Sequence, residues 1–185
     1  MKRIPSALPG VVVIEPVMHG DARGFFMETY RESDLAALGI TDRFVQDNQS
    51  RSSRGVIRGM HFQVGGHPQA KMIRCARGSI LDVTVDLRRG SPTFGQWASV
   101  LLSAENRRQI YLPPGFAHGF MALEDSDVLY LMSDHYRSEL ERGIQWRDPA
   151  LGLPWPARGG LLSPKDKALP MLNDVTPADL PIQEG

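Results

Sequence analysis

Short β-prone runs, each closed off by turn chemistry, dominate this sequence and limit what it can fold into more than any other feature. The runs expected as strands are Val11–Val17, Phe25–Tyr30, Phe44–Ser50, Val56–Gln63, Lys71–Ala76, Ser79–Asp86, Gly95–Leu102, Gln109–Leu112, Phe116–Ala122 and Asp127–Ser133. Between them, Arg77-Gly78, Arg89-Gly90-Ser91-Pro92 and Pro113-Pro114-Gly115 read as turns. Strands repeating every 8–12 residues or so point to an all-β sandwich or barrel. Ser79–Leu87 alternates well, with Leu81, Val83, Val85 and Leu87 on one face and Asp82, Thr84 and Asp86 on the other. The clearest helix is short, with Ser33 expected as its N-cap, Asp34 to Leu38 as its body and Gly39 as its stop.

A chain of 185 residues is most simply one domain able to bury a substantial core. After Asp148 the character changes: Pro149, Pro154, Pro156, Gly159-Gly160, Pro164 and Pro170 break any long element. Residues 149–185 are therefore expected as a Pro-rich tail that wraps the domain and closes one end of a barrel. Lys+Arg and Asp+Glu both number 21, so the net charge is zero, which argues against nucleic-acid binding by bulk charge but leaves room for a local basic pocket. The single cysteine, Cys75, allows neither an intrachain disulfide nor a CxxC metal site, and a cytoplasmic location is expected. Val11-Val12-Val13-Ile14 is too short for a secretory signal core, and no run approaches the roughly 20 apolar residues of a membrane span.

Within the strand-like run Val56–Gln63, three polar side chains, Arg58, His61 and Gln63, interrupt an apolar sequence. Either the segment lies at an edge or these groups face a cavity that needs them. An imidazole can accept and return a proton near neutral pH, and a base of this kind is commonly held in its working tautomer by a carboxylate. Asp166, in Ser163-Pro164-Lys165-Asp166, could supply one if the tail folds over the barrel mouth. The plainer alternative is a structural histidine and a solvated aspartate. Arg58 and His61 are an odd number of positions apart and should face opposite ways; they share a cavity only if the strand is distorted, and Gly59 is the natural place.

Other residues suggest further chemistry. Tyr130 and Tyr136 have the same parity, and on a straight strand they would share a face roughly 20 Å apart at about 3.3 Å per residue. One could act as an acid opposing His61 and the other could stack on a planar group, although core or rim aromatics are the commoner fate. Arg23, Arg58, Lys71 and Lys165 could together hold a phosphorylated ligand, although each alone reads as a solvated charge. Pro113 to His118 carries the P-x-G-x-x-H spacing that resembles the second motif of cupin jelly rolls, many of which bind a metal. His61 and His67 do not form the H-x-H pair of those families and position 63 is glutamine, so no metal is expected and the motif reads as a jelly-roll turn with a histidine left in the cavity.

Taken in order, several blocks resemble the dTDP-4-dehydrorhamnose 3,5-epimerase family. They are Arg23-Gly24-Phe25-Phe26-Met27-Glu28-Thr29-Tyr30, Gln46-Asp47-Asn48-Gln49-Ser50, Gly55 to Gln63, Gln69-Ala70-Lys71, Asp82 to Arg88 and Ser91 to Gly95. Pro114 to Phe120, Gly143 to Pro149 and Leu162-Ser163-Pro164-Lys165-Asp166 complete the set. Ile57 and Met60 depart from the pattern, where leucine is common, as tolerable apolar swaps. The resemblance implies a cupin-like jelly-roll barrel of two antiparallel sheets with few short helices, acting without a cofactor as a homodimer on a dTDP-4-keto-6-deoxyhexose. It implies His61 as proton acceptor with Asp166 as its partner, Tyr130 as proton donor, and Lys71 near the C4 oxygen. Tyr136 matches a residue that stacks on thymine, and His118 matches a sugar-site residue. Arg23, Glu28, Gln46, Asp47, Asn48, Arg58, Glu141 and Lys165 match other ligand-contacting positions, and Arg23 and Glu28 could serve the neighbouring subunit's site.

The implied reaction needs no redox chemistry, since the C4 ketone acidifies the hydrogens on C3 and C5, and the chain lacks a GxGxxG motif. The product implied is dTDP-4-dehydro-L-rhamnose. Three alternatives stay open on sequence: an enzyme that inverts only C3 or only C5, a metal-dependent cupin enzyme, and a non-catalytic sugar-nucleotide binding module.

Overall fold

The computed structural model describes residues 1–156 and 159–183. Its strands, in chain order, are β1 (Lys2–Ile4), β2 (Val12–Glu15), β3 (Met18–Asp21), β4 (Gly24–Met27), β5 (Gln46–Ser52), β6 (Ile57–Gln63), β7 (Lys71–Arg77) and β8 (Ser79–Asp86). β9 (Trp97–Ser103), β10 (Gln109–Leu112), β11 (Phe116–Ala122), β12 (Ser126–Met132) and β13 (Glu141–Gly143) follow, with two short helices, α1 (Glu32–Ala37) and α2 (Pro164–Lys167). One sheet has the order β1-β2-β10-β7-β12-β5, the other β13-β6-β11-β8-β9, and β3 and β4 form a separate hairpin. Every pairing between these strands is antiparallel. The expected all-β architecture of two antiparallel sheets with few short helices is what the chain adopts.

The two sheets meet over Val13, Ile73, Ile110, Leu112 and Val128 from one side and Ile80, Leu102, Phe116 and Phe120 from the other. This apolar plug does not fill the whole interior. On β8 the alternation read from sequence holds, but both faces are buried. Val83, Val85 and Leu87 face away from the partner sheet and are covered by the tail through Leu151, Leu153, Trp155, Leu172, Val175 and Leu180. Asp82, Thr84 and Asp86, all fully buried, occupy the opposite face. Burying each large apolar side chain is worth about 1.5–3 kcal/mol, so several of them together hold the tail down against its chain entropy. The tail is also stitched to the domain by parallel bridges Val56–Leu161 and Arg89–Ile182. Of the expected tail, residues 157–158 and 184–185 lie outside the described residues.

Some local expectations are corrected. The run Val11–Val17 yields only β2, which ends before Pro16; β3 begins beyond it, at Met18. β1 and β13, three residues each, gave no strand pattern; they exist because they pair with β2 and β6. α1 begins two residues earlier than expected, at Glu32, with Arg31 as its N-cap and no side-chain cap, so Ser33 lies inside the helix. Its end is as expected: Gly39 sits at φ +85°, Gly39 N–H donates to Ala36 O at 3.0 Å and Ile40 N–H to Leu35 O at 2.9 Å. That Schellman closure turns Leu35 and Ile40 onto Val12, Ile14, Met72 and Tyr111 on the outer face of the six-stranded sheet. The packing there sets the helix position more strongly than a serine cap does.

Candidate active site

His61 lies in β6 opposite His118 of β11. Going along the pair, His118 aligns with His61 but Phe120 aligns with Arg58, so three steps on β6 match two on β11. The extra residue is accommodated at Gly59, whose φ is +119°. A Cβ there would meet Gly119 Cα at 2.5 Å and His118 O at 2.6 Å, so only glycine fits. The bulge restores Arg58 and His61 to one face of the strand, as their spacing required. Arg58 is anchored by donating to Ser52 Oγ (3.0 Å) and Arg51 O (3.0 Å).

The tail brings Asp166 to His61 across 105 positions, with Asp166 Oδ1 2.6 Å from His61 Nε2. Local sequence explains the precision: Ser163 caps α2, its Oγ accepting from Asp166 N–H at 3.0 Å, and Pro164 opens the helix. Burial pushes the Asp166 carboxyl up, but its bonds to His61 and Ser163 and the charge of Lys165 outweigh that and hold it below the usual carboxylate range. As a carboxylate it accepts, so His61 Nε2–H donates and Nδ1 keeps the free lone pair. Nδ1 lies 3.9 Å from Glu141 Oε1. Glu141 also accepts from the Tyr136 hydroxyl at 2.5 Å and from Lys165 Nζ. Burial raises the Glu141 carboxyl, yet these donors and His61 bring it below its ordinary value.

Lys71, at the start of β7, donates from Nζ to His61 O at 3.3 Å. Burial lowers its ammonium to about 8, against the upward pull of Glu141 and Asp82. Tyr130, on β12, packs beside the inter-sheet core, where burial raises its phenol although Arg58 pulls it down. A phenol held above its ordinary value keeps its proton at neutral pH. β5 contributes Asn48 opposite Tyr130 and Gln46 opposite Met132. Gln46 and Asn48 are half-buried and hydrogen-bonded to each other at 3.0 Å, whereas Asp47 between them is exposed on the other face.

Sequence reasoning assigned no role to Asp82. It is fully buried on β8, with Oδ2 2.7 Å from His118 Nε2, so a second histidine–aspartate pair stands beside the first. A polar face on a strand buried on both sides was the available signal. Tyr136 departs from the straight-strand expectation. β12 ends at Met132, and the chain then bends so that Tyr136 reaches Glu141. Arg23 and Glu28 do not join this cluster. Arg23 pairs with Asp21 on the exposed β3–β4 hairpin, and Glu28 pairs with Arg31. Among the described residues, no three or more His, Cys, Asp and Glu side chains converge as a metal set.

The arrangement therefore offers a carboxylate-held imidazole with a free nitrogen, a cation beside it and a protonated phenol on the facing sheet. These are the parts of a proton-transfer site. The family model for dTDP-4-dehydrorhamnose 3,5-epimerase matches residues 5–174. The chain belongs to this family. The dTDP-4-dehydrorhamnose 3,5-epimerase of Salmonella typhimurium is 47% identical over 175 residues, covering 93% of this chain and 96% of the relative. Among solved structures, the dTDP-6-deoxy-D-glucose-3,5-epimerase of Legionella pneumophila, in complex with dTDP-4-keto-L-rhamnose, superposes with a TM-score of 0.96 at 45% identity. That match covers 100% of this chain and 99% of the other, and establishes the epimerase family's jelly-roll fold here. A 3′-monoepimerase of Streptomyces bikiniensis, in complex with dTDP-quinovose, matches at TM-score 0.85 and 39% identity, over 91% of this chain and 87% of that one.

Proposed function

We propose that this chain inverts C3 and C5 of dTDP-4-dehydro-6-deoxy-D-glucose, giving dTDP-4-dehydro-L-rhamnose for dTDP-L-rhamnose synthesis. The observation that carries the reading is the site itself: His61 bonded to buried Asp166, with Lys71 against its backbone and Tyr130 on the opposite sheet. His61 Nδ1 removes the proton from C3 or C5, each acidified by the C4 ketone. Asp166 and Glu141 stabilise the imidazolium that results. Lys71 stabilises the charge growing on O4, an effect that often dominates catalysis of this kind. Tyr130 then delivers a proton to the other face of the same carbon; once His61 has released its proton to solvent and Tyr130 has regained one, the second centre follows. Identities of 47% and 45% to the 3,5-epimerases of Salmonella typhimurium and Legionella pneumophila, against 39% to that 3′-monoepimerase, support inversion at both centres.

The nucleotide is held by Arg58, Gln46, Asn48 and Lys165, with Tyr136 stacked on thymine and His118 and Lys71 on the sugar. Asp47 contributes through its strand backbone. Arg23 and Glu28 act in the partner's site of a homodimer. What supports the dimer is the β3–β4 hairpin, which presents Phe25 at 55% and Phe26 at 65% exposure beside those two residues. We read the protein as one domain closed by its tail, working in the cytoplasm; no helix of the described residues is long and apolar enough to cross a membrane. NMR of the product formed from the 4-keto substrate, trapped by reduction, tests the assignment. L-rhamno stereochemistry is expected, whereas inversion at one centre would assign a monoepimerase.

A further inference from the structure

The segment that carries Tyr136 has no regular structure of its own between Met132 and Ser138, yet side chains from the barrel tie it down at nearly every step. Asp134 O accepts from Gln69 Nε2 at 2.9 Å, and Asp134 Oδ2 accepts from His67 Nδ1 at 2.8 Å. Tyr136 N–H donates to Gln46 Oε1 at 3.0 Å. Arg137 N–H donates to Gln63 Oε1 at 3.0 Å, while Gln63 Nε2 donates to His67 O at 2.5 Å. Gln63 thus joins three pieces: the strand that carries His61, the 64–70 loop and the 133–137 segment.

Gln63, like Gln69, is a buried member of this network, and its amide bonds link all three pieces. It is only 5% exposed, so its amide is out of water, and burying an amide is unfavourable unless both halves are bonded. Both are bonded, and in one orientation only, because His67 O can only accept and Arg137 N–H can only donate. An apolar side chain of similar size would fill the space without that requirement, but would leave both loops free to shift. Gln63 also lies two residues from His61 on the same strand, so the bridge sets the distance between the base and the ring of Tyr136.

We propose that Gln63 is a positioning residue for nucleotide recognition, its amide fixing segment 133–137 so that the half-exposed Tyr136 ring meets the nucleotide base. The inference rests on the reading of Tyr136 as the base-stacking residue. Binding of dTDP to the full-length protein, measured by calorimetry, tests it together with kcat and KM. Gln63→Glu keeps the acceptor for Arg137 N–H and sets a carboxylate against His67 O; Gln63→Met removes both bonds at constant size. Either change should weaken dTDP binding about three- to tenfold, the span expected for a hydrogen bond of ordinary net strength. KM should rise by a similar factor, with kcat changed less than KM. In a Tyr136→Ala background the same changes should cost nothing further, because residues that act through one another are not additive.

Equal losses in both backgrounds would overturn the proposal, as would unchanged affinity, a fall confined to kcat, or a Tyr136→Ala variant that binds dTDP as tightly as the parent. If Gln63→Glu does not fold, Gln63→Met decides, with folding checked by circular dichroism. Failure of the proposal alone leaves dTDP binding by the unaltered protein intact. Absence of that binding would instead overturn the epimerase reading, and this inference with it.

Discussion

His61 donates to Asp166 through Nε2, which leaves Nδ1 as the atom proposed to take the proton. Replacing His61 with alanine should therefore abolish exchange of the substrate's hydrogens, while Asp166→Asn should slow turnover on the order of a hundredfold by releasing the ring and its tautomer. A proton-transfer assay for each variant checks both. Lys71 adds a pH signature. Burial places its ammonium at about 8, so the charge proposed to stabilise O4 is present below that value and lost as pH rises through it. The pH profile of kcat should fall on its alkaline side near 8, and Lys71→Arg should move that limb upward; a limb that stays in place in the variant would assign it to another group. Part of the site was legible in the sequence, because Arg58 and His61 interrupt an apolar strand run, whereas Tyr130 and Lys165 read as ordinary core and surface residues until the family resemblance grouped them. Their partners were harder to find. Asp82 lies 36 positions from His118 and Asp166 lies 105 from His61, and no local pattern reports pairs made by folding.

At the scale of elements, the distortion of β6 decides whether a site exists. The odd spacing of Arg58 and His61 required it and Gly59 marked it, so this much could be read before any coordinates. The reason only glycine serves lies on the neighbouring strand, where Gly119 approaches so closely that a Cβ on it would meet Met60 Sδ at 2.6 Å and Arg58 O at 2.8 Å. Gly59→Ala should consequently destabilise the fold by roughly 2 kcal/mol or more, through a positive φ and a backbone clash together. It should also cost activity beyond the loss of folded protein, since the bulge carries His61. Thermal unfolding and kcat of the soluble fraction measure the two effects separately. The long strands were legible because their alternation and turns are local. β1, β13 and the start of α1 were not, because pairing or packing with distant residues sets them.

For the whole molecule, the tail and the hairpin do different jobs. The tail covers the outer face of the five-stranded sheet with apolar side chains and brings Asp166 to His61, so on the proposed mechanism catalysis depends on the folding of the last fifth of the chain. The hairpin stands apart with its two phenylalanines exposed. On the proposed dimer, Phe26→Asp should shift the sedimentation profile from dimer toward monomer and raise KM, because Arg23 and Glu28 would no longer reach the neighbouring site; a wild-type monomer, or a dimer unchanged by this substitution, would remove the hairpin from any interface. The central claim concerns protons: one face of the sugar loses them to His61 and the other gains them from Tyr130. Incubation of the 4-keto substrate with the enzyme and with its Tyr130→Phe variant in deuterated water, followed by NMR, tests it most directly. The account predicts deuterium at both C3 and C5 with inverted product for the enzyme, and for the variant exchange that outlasts epimerisation. No deuterium at either carbon would contradict it.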